Sequence, residues 1–174
     1  MSTERTDIAS TLGKHRALFL STVRDLTDEQ GLLPSTVSAL TLTSLLKHVA
    51  DTEKGWAEFI TKGPAALGGD VDWSAFDGDG GGGGEFVDTR FVVEPGETLA
   101  VLTARYAEVA RTTDELVATV DLDSAQPLPK APWFEAGANW SARRVFLHII
   151  AETAQHAGHA DIIREAIDGA KTMG

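Results

Sequence analysis

Four stretches of the chain place apolar residues at steps of three and four, the period of a helix with one buried face. In the first, Ile8, Leu12, His15, Phe19, Val23 and Leu26 share a stripe, and "TDEQG" ends it. The second follows "TLTS", whose hydroxyls can cap a helix start. Leu45, Val49, Trp56 and Phe59 form its stripe, and "KGP" closes it. The third opens at "EPGE", where Pro95 suits a first turn, and runs through Leu99, Leu102, Tyr106, Val109, Thr113, Leu116 and Val120. The fourth starts near Ser141, a fitting N-cap, and ends at Gly169, a fitting residue just past a helix. No repeat and no strand pattern accompanies them. These segments predict an all-α fold, a four-helix bundle with antiparallel neighbours, built by residues 1–174 as one domain.

Two connections stand out. Residues 64–94 contain "GGDVDWSAFDGDGGGGGEF", which no helix tolerates; the glycine-rich part spans 78–84. The stretch "DLDSAQPLPKAPWFEAGANW" joins the third and fourth helices and carries Trp133, Phe134 and Trp140. In "DGDGGGGGEFVD" the acids at the first, third and twelfth places outline part of a calcium loop. The fifth place is glycine and the flanks are not helical, so a solvated acidic loop is the better reading. A phosphate loop would need Lys and Ser or Thr after its glycines, and Glu85 stands there.

Composition narrows the function. Fifteen basic residues face 26 acidic ones, a net charge of −11, which repels nucleic-acid phosphates and anionic lipid. No stretch approaches the length of a bilayer span, and "MSTERTDIAS" lacks the apolar run of a signal peptide. The expectation is a cytoplasmic protein that binds neither nucleic acid nor membrane. There is no cysteine, so disulfides, thiolate metal sites and a thiol nucleophile of the chain's own are excluded.

Candidate chemistry concentrates in "HIIAETAQHAGHADIIREAIDG", residues 148–169, where His148, Glu152, His156 and His159 fall within an arc of about 80° on a helix. The apolar strip of Phe146, Ile149, Thr153, Ala157, Ala160 and Ile167 lies beside them, so the polar groups stand at the border of the core. Glu152 and His156 are one turn apart and can reach one point, half of a divalent metal site. His48 in "SLLKHVADTE", on the edge of the second helix's stripe, is the natural third ligand. A solvated polar face is the competing account of the same spacing. Trp133 and Phe134 precede this helix and are candidates for lining a cavity. His15, on the first stripe, reads as a boundary residue. Arg143, Arg144, Arg164 and Glu165 could touch substrate, but near helix ends they read first as partners of ion pairs or helix dipoles.

At these residues the sequence resembles the DinB/YfiT-like superfamily. "E-T-A-x-H-A-G-H-x-D-I-I-R-E", with "LLKHVADTE" upstream and the "PWF" connection, is most similar to the branch related to mycothiol-dependent maleylpyruvate isomerase and mycothiol S-transferases. The resemblance covers most of the chain. It implies a four-helix bundle with one divalent metal held by His48, Glu152 and His156. His159 stands where many relatives have Gln, and His148 where they often have His; both then belong beside the ligands. The resemblance further implies a homodimer. The glycine-rich stretch is longer than the family leads one to expect, so substrate identity does not carry over.

The implied chemistry is transfer of a low-molecular-weight thiol of the mycothiol type to a small electrophile, or its use as an isomerisation cofactor. The missing cysteine agrees, since the nucleophile must then arrive as a cosubstrate. The His/Glu set suits zinc, and imidazole also suits nickel and iron. Two other readings stay open at this point: a metal-dependent hydrolase, with water in the thiol's place, and a non-catalytic metal-binding bundle.

Overall fold

The computed structural model describes residues 2–68 and 89–172. The glycine-rich stretch 78–84 and its calcium-like pattern lie outside the described residues. Helix α1 spans Thr3–Ser21, the single-turn α2 Asp28–Gly31, α3 Leu42–Lys62, α4 Leu99–Thr119 and α5 Ala142–Asp168. Two three-residue strands, β1 (Ala125–Pro127) and β2 (Asn139–Ser141), pair antiparallel between α4 and α5. No described helix is long and apolar enough to cross a membrane. The fold is all-α, as the hydrophobic period predicts.

Each long helix begins the same way. Ser2, Thr41, Thr98 and Ser141 hold extended backbone while their side-chain oxygens accept from the amide three residues on. This satisfies one of the orphan donors of a first turn. At the far end of α5, Gly169 turns the chain at φ 80°, a conformation that only glycine adopts without strain. Ser141 and Gly169 thus bound α5 as expected. The third predicted helix starts later than Pro95, because Thr98 supplies the cap that Pro95 and Gly96 lack. "TDEQG" is itself a turn of helix, since Thr27 and Gln30 close a reciprocal capping box.

The expectation of antiparallel neighbours holds for some contacts only. Two clusters of buried apolar side chains fill the bundle. One joins Phe19 of α1, Leu42–Val49 of α3, Leu99–Val109 of α4 and Ala157–Ile163 of α5. The other joins Ile8 and Leu12, Trp56–Ile60, Val117, and Ala142–Ile149. Hence α1 and α5 run one way, and α3 and α4 the other. Polar contacts agree: Lys47 of α3 donates to Glu97 just before α4, and Arg164 of α5 donates to the carbonyls of Thr22 and Arg24 just after α1. Successive helices α3 and α4 are therefore parallel neighbours. Their connection must link opposite ends of helices about 30 Å long, which is why it cannot be a tight turn.

A polar layer separates the two clusters. Arg16, 6% exposed, forms a two-pronged pair with Glu53, 1% exposed: Nη2 to Oε1 at 2.5 Å and Nε to Oε2 at 3.2 Å. Its remaining Nη1 donates to Asp114 of α4 at 2.8 Å. Burial, then the adjacent Glu53 carboxylate, push the Tyr106 phenol up. The stripe of α1 thus buries Arg16, and His15 is turned partly to solvent. The reason is the charge waiting on α3, which hydrophobic periodicity along α1 does not register.

A buried charge left without its partner costs about 3–5 kcal/mol, whereas apolar replacement of both members is often neutral. Glu53→Ala should therefore destabilise the bundle by about that amount in urea unfolding. The double variant Arg16→Met/Glu53→Leu should recover most of the loss. A Glu53→Ala variant with unchanged unfolding midpoint would show that the pair contributes nothing.

Candidate metal centre

Helices α3 and α5 pack side by side and run in opposite directions, so four-residue steps on one meet four-residue steps on the other. The His48 and His156 rings meet at 4.8 Å between centroids. Two turns away, Trp56 of α3 meets His148 of α5 at 4.6 Å. Thr52 and Glu152 occupy the level between. One donor atom each from His48, Glu152 and His156 lies within 4.8 Å of the others. The helix pairing thus brings together the three residues singled out in the sequence.

Their surroundings give each a distinct environment. His48 is buried at 6% exposure, with Phe91 stacked on its ring at 4.2 Å and 24°, and Thr52 Oγ1 3.4 Å from its Nε2. Phe91 ends a short 3-10 turn, Thr89–Phe91. Glu152 is half-buried with His156 Nε2 3.7 Å from Oε2 and His148 Nε2 3.7 Å from Oε1. The His156 imidazole is the main influence holding the Glu152 carboxyl below its usual range, against burial, which pushes it up. The other nitrogen of His156, Nδ1, faces Nδ1 of His159 at 3.5 Å. His159 is exposed and stands outside the cluster, one step along the helix.

On the other flank, His148 sits in an aromatic corner made by Trp56 and by Trp140, whose ring is 5.1 Å away. The β1–β2 pairing puts Trp140 there: its ring stacks on Trp56 at 4.9 Å and 16°, and Phe134 packs edge-on to both. Burial pushes His148 down, which leaves its ring neutral near pH 7, with Glu152 pulling the other way. Trp133 is 56% exposed and contacts the outer side of Phe134. Of the two aromatics predicted to line a cavity, Phe134 joins the aromatic corner and Trp133 lies at its rim.

The donor set fits a divalent cation. Two imidazoles and one carboxylate are the ligand types that borderline metals take, and three protein ligands leave a position open. Atoms sharing one tetrahedral zinc at about 2.0–2.2 Å lie about 3.3–3.6 Å apart. A set spread over 4.8 Å draws in by about 1.2–1.5 Å at its widest, within reach of side-chain rotation. Among the described residues no lysine or arginine neutralises Glu152; the groups favouring its charge are His156, His148 and His48. In a chain of net charge −11, a half-buried carboxylate ringed by imidazoles is a candidate cation site by composition as well as by shape.

A model of the family described as mycothiol-S-transferase matches residues 7–169. The chain belongs to that family. No curated protein matches it. Among solved structures, the crystal structure of a conserved protein from Enterococcus faecalis superposes with a TM-score of 0.66 at 14% identity, covering 98% of this chain and 99% of that one. At that identity the likeness speaks for the fold.

Within this mycothiol-S-transferase family member, sequence reasoning missed Phe91 and Thr52. Phe91 lies in an irregular segment with no periodicity to mark it. Thr52 carried a signal, its four-residue spacing from His48. Trp56 and Trp140 read as core and loop anchors in the sequence, and they are also the walls around His148.

Two outcomes test the centre. After loading with zinc and dialysis, elemental analysis of His48→Ala and His156→Ala should show loss of metal, while His159→Gln, outside the cluster, should keep it. Full occupancy in both alanine variants would remove the assignment. Separately, the folded value of His148 lies below the unfolded value of about 6.5. The unfolded chain then binds the extra proton first, so this group's stabilisation is present above about pH 6.5 and is lost as pH falls through the folded value. Glu152 titrates in a lower window and stays charged there. Metal-free His148→Phe should lose less melting temperature between pH 7.5 and pH 5.5 than the wild type; equal losses would contradict the burial argument.

Proposed function

We propose that the protein is a metal-dependent mycothiol-type S-transferase, acting at the His48, Glu152 and His156 cluster on a small electrophile. The observation that carries this reading is the convergence of three metal-ligand side chains from two helices in a family member that has no cysteine. A divalent cation there, zinc first among candidates, supplies a Lewis acid that lowers the pKa of a thiol at its open position below the ~8.5 of the free group.

The chain's own residues do the rest. Phe91 and Thr52 hold the His48 ring, and His159 steadies His156 through the nitrogen that does not face Glu152. His148, kept neutral by burial, offers its Nε2 to the proton the thiol loses. The sulfur forms a bond to the electrophilic carbon; the leaving group departs with its electron pair or, in an addition, the proton is returned to the neighbouring atom. The aromatic corner of Trp56, Phe134 and Trp140 keeps water from one side. Residues 1–174 acting as a single domain, a homodimeric state and a cytoplasmic location belong to the same reading.

Turnover should require both zinc and a small thiol, and should level off with rising pH below the free thiol's pKa. His48→Ala and His156→Ala should each cost at least about a hundredfold, the worth of a few kcal/mol of charge stabilisation. The assay is thiol consumption against a panel of electrophiles. Metal-dependent ester or amide turnover at full rate without thiol would replace this reading by a hydrolase. Metal-loaded protein inert to both would make it a non-catalytic bundle.

A further inference from the structure

The ladder on α5 does not stop at His148. One turn before it stands Arg144, so Arg144, His148, Glu152 and His156 follow one another at four-residue steps. Its guanidinium carbon lies 4.6 Å from the centroid of Trp140, the ring that walls His148. Among the described residues no carboxylate pairs with it. Its neighbour Arg143 is bound to Glu4 and Asp123, and Arg16, Arg105, Arg111 and Arg164 all have carboxylate partners. An exposed arginine spread over a tryptophan keeps its N–H edge open to a further acceptor.

We propose that Arg144, laid over Trp140, forms a recognition site for the electrophile, selecting a small molecule that carries a carboxylate at the end away from the reacting carbon. The inference rests on the reading that transfer takes place at the His48–Glu152–His156 cluster, and it deepens that reading by naming the substrate class. Two features carry it. The distance is right: Arg144 and Glu152 are eight residues apart, about 12 Å along the helix, room for a small ring system between an anion and the metal ligands. The charge is right: on a surface of net −11, an arginine without a carboxylate partner beside the candidate site gives an anionic substrate a local attraction that the rest of the molecule denies it. The guanidinium can meet a carboxylate with two parallel N–H donors, which fixes orientation as well as affinity.

The test is binding to the zinc-loaded full chain, read by tryptophan fluorescence quenching, so that it does not depend on turnover. The ligands are 4-nitrobenzoate and its neutral isostere 4-nitrobenzamide. Wild type should prefer the carboxylate by about tenfold, what one charge-assisted hydrogen-bonded pair contributes. Arg144→Met, which keeps an apolar stem over Trp140, should abolish the preference while leaving the amide's affinity in place as a check on folding. Trp140→Leu, which removes the ring beneath the guanidinium, should reduce the carboxylate preference. Equal binding of the two by wild type, or a preference that survives in Arg144→Met, would overturn the proposal. A parallel arm follows thiol consumption with 4-chloro-3-nitrobenzoate, where the new S–C bond forms as chloride leaves with its electron pair and the thiol proton passes by way of His148 to solvent. A retained carboxylate preference with no thiol consumption would count against the transferase reading and leave the Arg144 site standing.

Discussion

The contact between α3 and α5 governs what this molecule can do. Two antiparallel helices with functional residues at four-residue steps present those residues to each other level by level. Each such step turns the helical face by about 40°, because four residues slightly exceed one turn. The two faces therefore stay opposed for about two turns and then wind apart. Within those two turns lie His48 against His156, Thr52 level with Glu152, and Trp56 against His148. The candidate metal centre and the aromatic corner are consecutive rungs of one ladder, and Arg144 lies on the rung where the ladder opens.

What fixes the height of one helix against another sits immediately behind the site. Glu53 is the residue after Thr52, on the core side of α3, and its two-pronged pair with Arg16 ties α3 to α1. Through Asp114 the same guanidinium reaches α4. Apolar packing alone tolerates sliding, since one leucine-lined level resembles the next. A buried ion pair does not, because a shift by one turn leaves both charges unpaired in the core. This pair sets the height of α3 against α1 and α4, and Arg164 of α5, donating to the carbonyls of Thr22 and Arg24, ties α5 to the end of α1; the two links together align the histidines.

Charge and chemistry then agree with each other. A strongly acidic chain without cysteine has gathered three of its five histidines around one carboxylate at the core border. Burial pushes His148 down while the imidazoles pull Glu152 down, so near neutral pH one is an uncharged base and the other an anion. That pairing of states is what a cation site with an adjoining proton acceptor requires.

The sequence by itself determined the helices, their caps at Ser141 and Gly169, and the candidate ligands, since period, cap chemistry and the i, i+4 step are local properties. Tertiary structure alone decided the rest. The direction of α4 relative to α3 depends on which ends meet, and periodicity carries no direction. Arg16 hides in a stripe because its partner lies 37 residues away. Phe91 reaches His48, and Trp140 reaches Trp56, from irregular segments and a three-residue strand that only pairing with a distant partner stabilises. The candidate ligands were legible because two of them share one helix turn and the third is a histidine at the edge of another stripe; their environment was not, because desolvation and aromatic packing arise only when separate segments meet.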